Sequence, residues 1–121
     1  MIGIDVVAIE RIEKIVQKYG ISFLKRFLNK SEIKLVCRDS SFNINSIAGF
    51  FAAKEAISKA LGCGIGKELG FRDIKIIKNI KNAPKIKLKK KIKKYFKIKK
   101  TYLSITHDKG YAIAVVLINF K

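Results

Sequence analysis

The sequence predicts an α+β fold, and three observations carry that reading. Apolar residues at helical spacing fill most of the stretch from about Ala8 to Leu61. The remainder reads mostly as strand. The order of the two kinds of segment shows no regular βαβ alternation.

Each element has a local reason. Ile2, Ile4 and Val6 alternate with Gly3 and Asp5, so a short strand is expected with Asp5 on the face opposite the isoleucines. From about Ala8 the period changes. Ile9, Ile12, Ile15, Val16 and Tyr19 form a helical stripe that Gly20 ends. Ser22 and Ser31 are expected to cap two shorter helices, and Ser46 a long one running to Leu61 before Gly62. Arg38 to Asn45 reads as a loop. Beyond Gly62-Cys63-Gly64-Ile65-Gly66, a flexible turn with exposed amides, Phe71–Ile77 and Lys85–Leu88 read as strands around Asn82-Ala83-Pro84. Leu88, Ile92, Tyr95 and Phe96 return to helical spacing. Thr101–His107 and Tyr111–Phe120 form a hairpin about Asp108-Lys109-Gly110, the second strand apolar enough to be central and buried.

The length, 121 residues, suits one domain spanning 1–121. At 49% hydrophobic and 30% charged residues the chain is globular rather than disordered. No segment approaches the roughly 18 apolar residues of a membrane helix. The start, Met1-Ile2-Gly3-Ile4-Asp5, lacks the basic lead of a signal peptide, so a cytoplasmic protein is expected. Cys37 and Cys63 are too few for a disulfide framework or a zinc site. The net charge of +18 attracts polyanions of any class: nucleic acid, anionic membrane, phosphorylated ligand or acidic protein. Thirteen lysines fall between Lys75 and Lys100, in a Lys/Ile-rich composition that a genome biased toward A and T also produces. Charge alone does not choose the partner.

Three places look unlike scaffold. Asp5, in an otherwise apolar strand, either caps the following helix or ligates a hard cation. Glu55 and Lys59 stand one helical turn apart, which suits a surface salt bridge as well as a site. Ala48 and Ala52 share their face, so something can approach it closely. His107, the only histidine, ends a strand and is either structural or functional.

Together these residues form a longer pattern. Gly3, Asp5 and Arg11 give Gly-x-Asp-x₅-Arg. Phe51-Ala52-Ala53-Lys54-Glu55-Ala56-x-x-Lys59-Ala60-x-Gly62-x-Gly64-Ile65 occupies the middle, and Leu103-Ser104-Ile105-Thr106-His107 precedes Tyr111-Ala112-x-Ala114. Over essentially the whole chain, and in the right order, this resembles the holo-acyl-carrier-protein synthase family of phosphopantetheinyl transferases. The resemblance implies the phosphopantetheinyl transferase fold, with helices packed on a mostly antiparallel sheet. It implies transfer of 4′-phosphopantetheine from coenzyme A to a serine of apo acyl carrier protein, for fatty acid biosynthesis.

Roles follow at the matching positions. Asp5 and Glu55 resemble ligands of Mg²⁺, which would also grip the pyrophosphate of coenzyme A. Lys59 is similar to the motif lysine that approaches the phosphates, and Lys54 is assigned with it to the coenzyme A site. Gly62 and Gly64 resemble the turn that lets coenzyme A lie close to the backbone. Pro84 belongs to the turn near the nucleotide, and His107 to a motif near the pyrophosphate. Arg11, Lys14 and Lys18 resemble the basic surface that receives the acidic carrier protein. The resemblance further implies a homotrimer with sites between subunits, the segment around Asn82–Lys87 coming from a neighbour. The apolar content of the hairpin strands, Phe50, Phe51 and the N-terminal strand agrees with an oligomer. The sequence departs from the family pattern at Phe50, where arginine is common, and at Ala83, in a turn one residue shorter than usual.

The chemistry suits such a site. Phosphoryl transfer needs positioning and charge neutralisation more than covalent help, and Mg²⁺ is commonly held by one or two carboxylates plus phosphate oxygens and waters. Glu55, a metal-bound water and His107 are all candidates for the base. The main rival reading is a nucleic-acid-binding module using the lysine run with Tyr95, Phe96 and Tyr102. It lacks a recognised motif, and only 4 of the 27 basic residues are arginine. A helix lying on a membrane from Leu88 onward is the other rival, but a core-facing stripe explains its narrow apolar side equally well.

Overall fold

The computed structural model describes residues 1–121. The elements run β1 (Ile2–Ala8), α1 (Ile9–Tyr19), α2 (Ile21–Phe27), α3 (Lys30–Val36), β2 (Cys37–Arg38), β3 (Ser41–Phe42), α4 (Ile44–Leu61), β4 (Ile74–Lys78), β5 (Pro84–Leu88), α5 (Lys90–Tyr95), β6 (Ile98–Asp108) and β7 (Tyr111–Phe120). All strand pairs are antiparallel. The main sheet has the order β1-β7-β6, and β2-β3 and β4-β5 are separate hairpins. The expected α+β class holds.

The register explains which side chains meet α4. Gly3, Asp5 and Val7 lie opposite Val116, Ala114 and Ala112 of β7, which lie opposite Leu103, Ile105 and His107 of β6. This is the inner face, and α4 covers it with Ala52, Ala56 and Ala60, all fully buried. The small residues allow a close approach. A Cβ at Gly3 would stand 1.9 Å from the Ala56 carbonyl oxygen. Leu24, Phe27, Ile57, Leu69 and Ile74 continue a core of 25 buried apolar residues.

The other face of the sheet is uncovered. Ile2, Ile4 and Val6 are 67%, 54% and 55% exposed, beside exposed Val115, Leu117 and Tyr102. Strand β7 is central, as expected, but buried on one side only. Phe50 and Phe51 do not add to this surface. Phe50 is buried, and the Phe51 ring packs edge-on to Phe27 with centroids 5.3 Å apart.

Several helix starts differ from expectation. Gly20 (φ 57°) separates α1 from α2, and Ser22 lies inside α2 with its hydroxyl donating to the Tyr19 carbonyl. Asn29 precedes α3, where the Glu32 carboxylate accepts from the Asn29 N–H at 2.7 Å. Asn43 caps α4 by accepting from the Ser46 N–H at 3.1 Å. Asparagine and serine satisfy the same free amides, so composition alone does not choose between neighbouring caps. The stretch read as a loop from Arg38 contains the β2-β3 hairpin, whose Asp39 and Ser40 both take positive φ. Residues Phe71–Asp73 form a 3-10 turn rather than the start of a strand.

Candidate active site

Asp5 sits in mid-strand on the inner face of β1, and its reading as a helix cap fails. The residue before α1 is Ala8, with no side-chain cap. The Asp5 carboxylate instead accepts from Lys59 Nζ at 2.7 Å, with the Asp5 side chain 12% exposed and that of Lys59 55%. The surface bridge expected between Glu55 and Lys59 is therefore not the one formed.

Glu55 joins the same cluster electrostatically. Burial pushes its carboxyl above the usual range, the negative Asp5 adds to that rise, and Lys59 and Arg11 oppose it. The ammonium of Lys59 is pushed up by its hydrogen bond to Asp5 and then by the Asp5 charge. No third acid, histidine or cysteine joins Asp5 and Glu55. Two carboxylates, Glu55 half-buried and Asp5 with its side chain only 12% exposed, are a hard oxygen donor set. They fit a cation such as Mg²⁺ that takes its remaining ligands from phosphate and water.

Lys54, the residue before Glu55, requires a correction. Its ammonium is fully buried and donates to the Phe27 carbonyl at 2.7 Å, Glu32 Oε1 at 2.8 Å and the Phe71 carbonyl at 3.1 Å. All three of its N–H donors are taken inside the protein. It does not reach a ligand, and its role is structural. Glu32 escaped the sequence reading, although Asn29-x-x-Glu32 before an apolar run is a helix-start signal that would have placed it.

The turn after α4 also differs in detail. Gly62 caps the helix in the left-handed conformation (φ 73°, ψ 13°). The amides of Gly62, Cys63 and Gly64 fold back onto the carbonyls of Lys59 and Ser58, so they are not free for an anion. Nothing stands within 4 Å of a Cβ built at Gly62 or Gly64. Space is open beside the turn, and positive φ at both residues is the local reason for glycine.

His107 lies elsewhere. Its Nε2 is 2.8 Å from the Asn45 carbonyl oxygen; a carbonyl only accepts, so Nε2 carries the proton. With Ser46, Gly49, Phe50, Lys78, Pro84 and Ile105 it lines a cleft of about 140 Å³. Pro84 pairs with Lys78 at the end of the β4-β5 hairpin. Asn45 and Glu55 are ten residues apart on the chain, about 15 Å along a helix at 1.5 Å per residue. One chain thus carries two separate clusters, Asp5-Glu55-Lys59 and Lys78-Pro84-His107, at different points along α4. Motif order implies that His107 stands with the first. The hairpin register and the fold instead bring Lys78 and Ser46 beside it, which no local pattern marks.

Arg11, Lys14 and Lys18 are exposed on α1, where positions i, i+3 and i+7 share a face. Lys14 pairs with Glu10 at 3.2 Å, with both side chains open to solvent. Ile15, Tyr19, Ser22, Phe23 and Arg26 line a groove formed by α1 and α2. The lysines from Lys75 to Lys100 are divided over β4, β5, α5, β6 and the connections between them. Tyr95 is tied to Glu68 through its hydroxyl, 3.0 Å away. Lys85, Lys87, Lys90, Lys93, Lys99 and Lys100 line one groove with Tyr102, but Tyr95 and Phe96 lie outside it, and the nucleic-acid reading finds no support. Leu88 and Ile92 are buried in the core, which accounts for the apolar stripe there. No helix is long and apolar enough to cross a membrane.

A carboxylate pair and a lysine thus meet where the sheet packs against the central helix, an arrangement that can hold a cation together with phosphate oxygens. The chain belongs to the 4′-phosphopantetheinyl transferase superfamily, whose family model matches residues 1–116. Within it the chain is similar to holo-[acyl-carrier-protein] synthases. That of Helicobacter pylori is 59% identical over 119 residues, covering 98% of this chain and 97% of the relative. That of Campylobacter fetus is 53% identical over 118 residues, covering 98% of both. Among solved structures, the Helicobacter pylori holo-[acyl-carrier-protein] synthase in complex with coenzyme A superposes with a TM-score of 0.91 at 58% identity, covering 98% of this chain and all of that one. The Bacillus anthracis enzyme in complex with coenzyme A (3′,5′-ADP) gives 0.81 at 35% identity, covering 99% and 96%.

Proposed function

We propose that this chain is a holo-acyl-carrier-protein synthase. It transfers 4′-phosphopantetheine from coenzyme A to a serine of an acidic apo acyl carrier protein, for fatty acid biosynthesis. One observation carries the reading: Asp5, Glu55 and Lys59 converge in a chain so similar, over nearly its full length, to a synthase solved with coenzyme A.

In this reaction the serine hydroxyl gives its proton to a base, for which Glu55 and His107 are the side-chain candidates, and its oxygen forms a bond to the pantetheine-side phosphorus. The phosphoanhydride bond to the other phosphorus breaks, and adenosine 3′,5′-bisphosphate leaves. Asp5 and Glu55 would hold Mg²⁺, which when bound supplies charge neutralisation at the pyrophosphate. Lys59, exposed on the same face of α4, supplies a further positive charge where negative charge accumulates. Arg11, Lys14 and Lys18 receive the carrier protein.

The same reading includes a homotrimer with composite sites. Two observations support it: the uncovered apolar face of the sheet, and the separation of the His107–Pro84 cleft from Asp5 and Glu55. A neighbour that brings its cleft to this chain's carboxylates would complete a coenzyme A pocket. The same reading includes a cytoplasmic location, where the half-buried thiols of Cys37 and Cys63 would stay reduced.

Mass spectrometry of apo carrier protein incubated with enzyme, coenzyme A and Mg²⁺ tests the activity. The expected result is a gain of roughly one phosphopantetheine, about 340 Da from its formula, as this phosphoryl-transfer chemistry demands. Asp5→Ala and Glu55→Ala should lower the rate by about 10²-fold or more while melting close to wild type. Unmodified carrier protein after prolonged incubation with active-site-intact enzyme would refute the assignment.

A further inference from the structure

Lys59 has two claims on its single ammonium. It contacts Asp5 Oδ1 at 2.7 Å across the β1-α4 junction, yet it stands one turn from Glu55, itself exposed, where phosphates are read to bind. The Asp5 side chain is 12% exposed, so it keeps a counter-ion close; the Lys59 side chain, 55% exposed, has room to swing on its four-carbon arm.

We propose that Lys59 is an exchangeable counter-ion that couples cation binding at Asp5 to coenzyme A binding. The inference rests on the reading of Asp5 and Glu55 as a cation site. An ammonium and a dication on one carboxylate oxygen repel strongly at contact distance. A cation arriving at Asp5 therefore drives Lys59 off Oδ1. The displaced ammonium stays on the same face and turns to an anionic oxygen, which the pyrophosphate of coenzyme A supplies. The converse follows from linkage: a phosphate that draws Lys59 away leaves Asp5 open to the cation, so each ligand raises the affinity for the other by the same factor. Glu55 cannot play this part, because it repels Asp5 rather than neutralising it.

Mn²⁺ binding, followed by the electron paramagnetic resonance signal of the free ion, tests this on wild type, Lys59→Met and Arg11→Met, each without and with saturating coenzyme A. Without coenzyme A, Lys59→Met should bind Mn²⁺ roughly threefold or more tightly than wild type, the scale expected for loss of a partly exposed ion pair. Coenzyme A should then tighten Mn²⁺ binding by a smaller factor in Lys59→Met than in wild type. Arg11→Met, which removes a charge that acts on Glu55 from a distance, should gain less than Lys59→Met. Equal Mn²⁺ affinity in wild type and Lys59→Met, an equal gain in Arg11→Met, or an unchanged coenzyme A factor would each overturn the counter-ion role alone. Absence of Mn²⁺ binding in all three proteins, even with coenzyme A, would overturn the cation site and this inference with it.

Discussion

Lys54 Nζ lies 2.8 Å from Glu32 Oε1, and neither side chain is exposed to solvent. The pair is fully hydrogen-bonded. Glu32 Oε1 also accepts from the Asn29 N–H, and Oε2 accepts from the Ile76 N–H at 2.8 Å. Desolvation pushes the Lys54 ammonium below its usual value, against the opposing pull of Glu32. The pair ties α3, β4 and the ends of α2 and the 3-10 turn to the residue next to Glu55. It thereby sets the rotation of α4 that presents Glu55 beside Asp5.

Breaking it should be costly. Lys54→Met leaves Glu32 buried without its cation, so the expected loss is about 3–5 kcal/mol in urea unfolding. The double variant Lys54→Met/Glu32→Gln should recover part of that loss. A single variant within about 1 kcal/mol of wild type would mean that Lys54 is not the counter-charge this geometry makes it.

Gly3→Ala tests the close approach of β1 to α4. The new Cβ meets the Ala56 carbonyl and the Ala60 amide, both backbone, so one element must move. A stability loss of about 2 kcal/mol or more is expected, as for other overpacked cores. Turnover should fall as well, because Asp5 moves with the strand. Unchanged melting and activity would show that the strand–helix spacing is looser than it stands here.

Charge reversal on α1 addresses the carrier protein. Arg11→Glu combined with Lys18→Glu should slow association with an acidic carrier by about tenfold or more at low salt, leaving coenzyme A affinity intact. The deficit should shrink at high salt, where exposed charges are screened over less than about 8 Å. A rate that ignores both the reversal and the salt would place the docking face elsewhere.

The outer sheet face and the divided clusters lead to a complementation experiment. Glu55→Ala and His107→Ala should each be nearly inactive alone. Mixed and allowed to exchange subunits, they should regain activity, because some interfaces would join an intact Glu55 to a neighbour's intact His107. Leu117→Lys, which puts a charge on the exposed face, should shift light scattering towards monomers and remove activity together. A fully active monomer would refute the shared site.

Much of this protein was legible along the chain. Alternation of Ile2, Ile4 and Val6 with Gly3 and Asp5 determined which face Asp5 would occupy. Apolar spacing between Ile47 and Leu61 marked α4, and Asp108-Lys109-Gly110 marked a two-residue turn, in which Lys109 and Gly110 both take positive φ. These features depend on residues within a few positions of one another, where backbone period and turn chemistry act directly. The partners of the charged groups were decided only by the tertiary structure. Lys59 had Glu55 one turn away, yet it meets Asp5, 54 residues distant, because Gly3 lets the strand come against the helix. Lys54 belonged to a motif of site residues, yet a carboxylate from α3 claims it in the core. His107 followed in the same motif order, yet it faces Asn45 rather than the carboxylate pair. An ammonium or imidazole reaches any acceptor the packing brings within hydrogen-bond range, and that is settled by strand register and helix contact rather than by spacing in sequence.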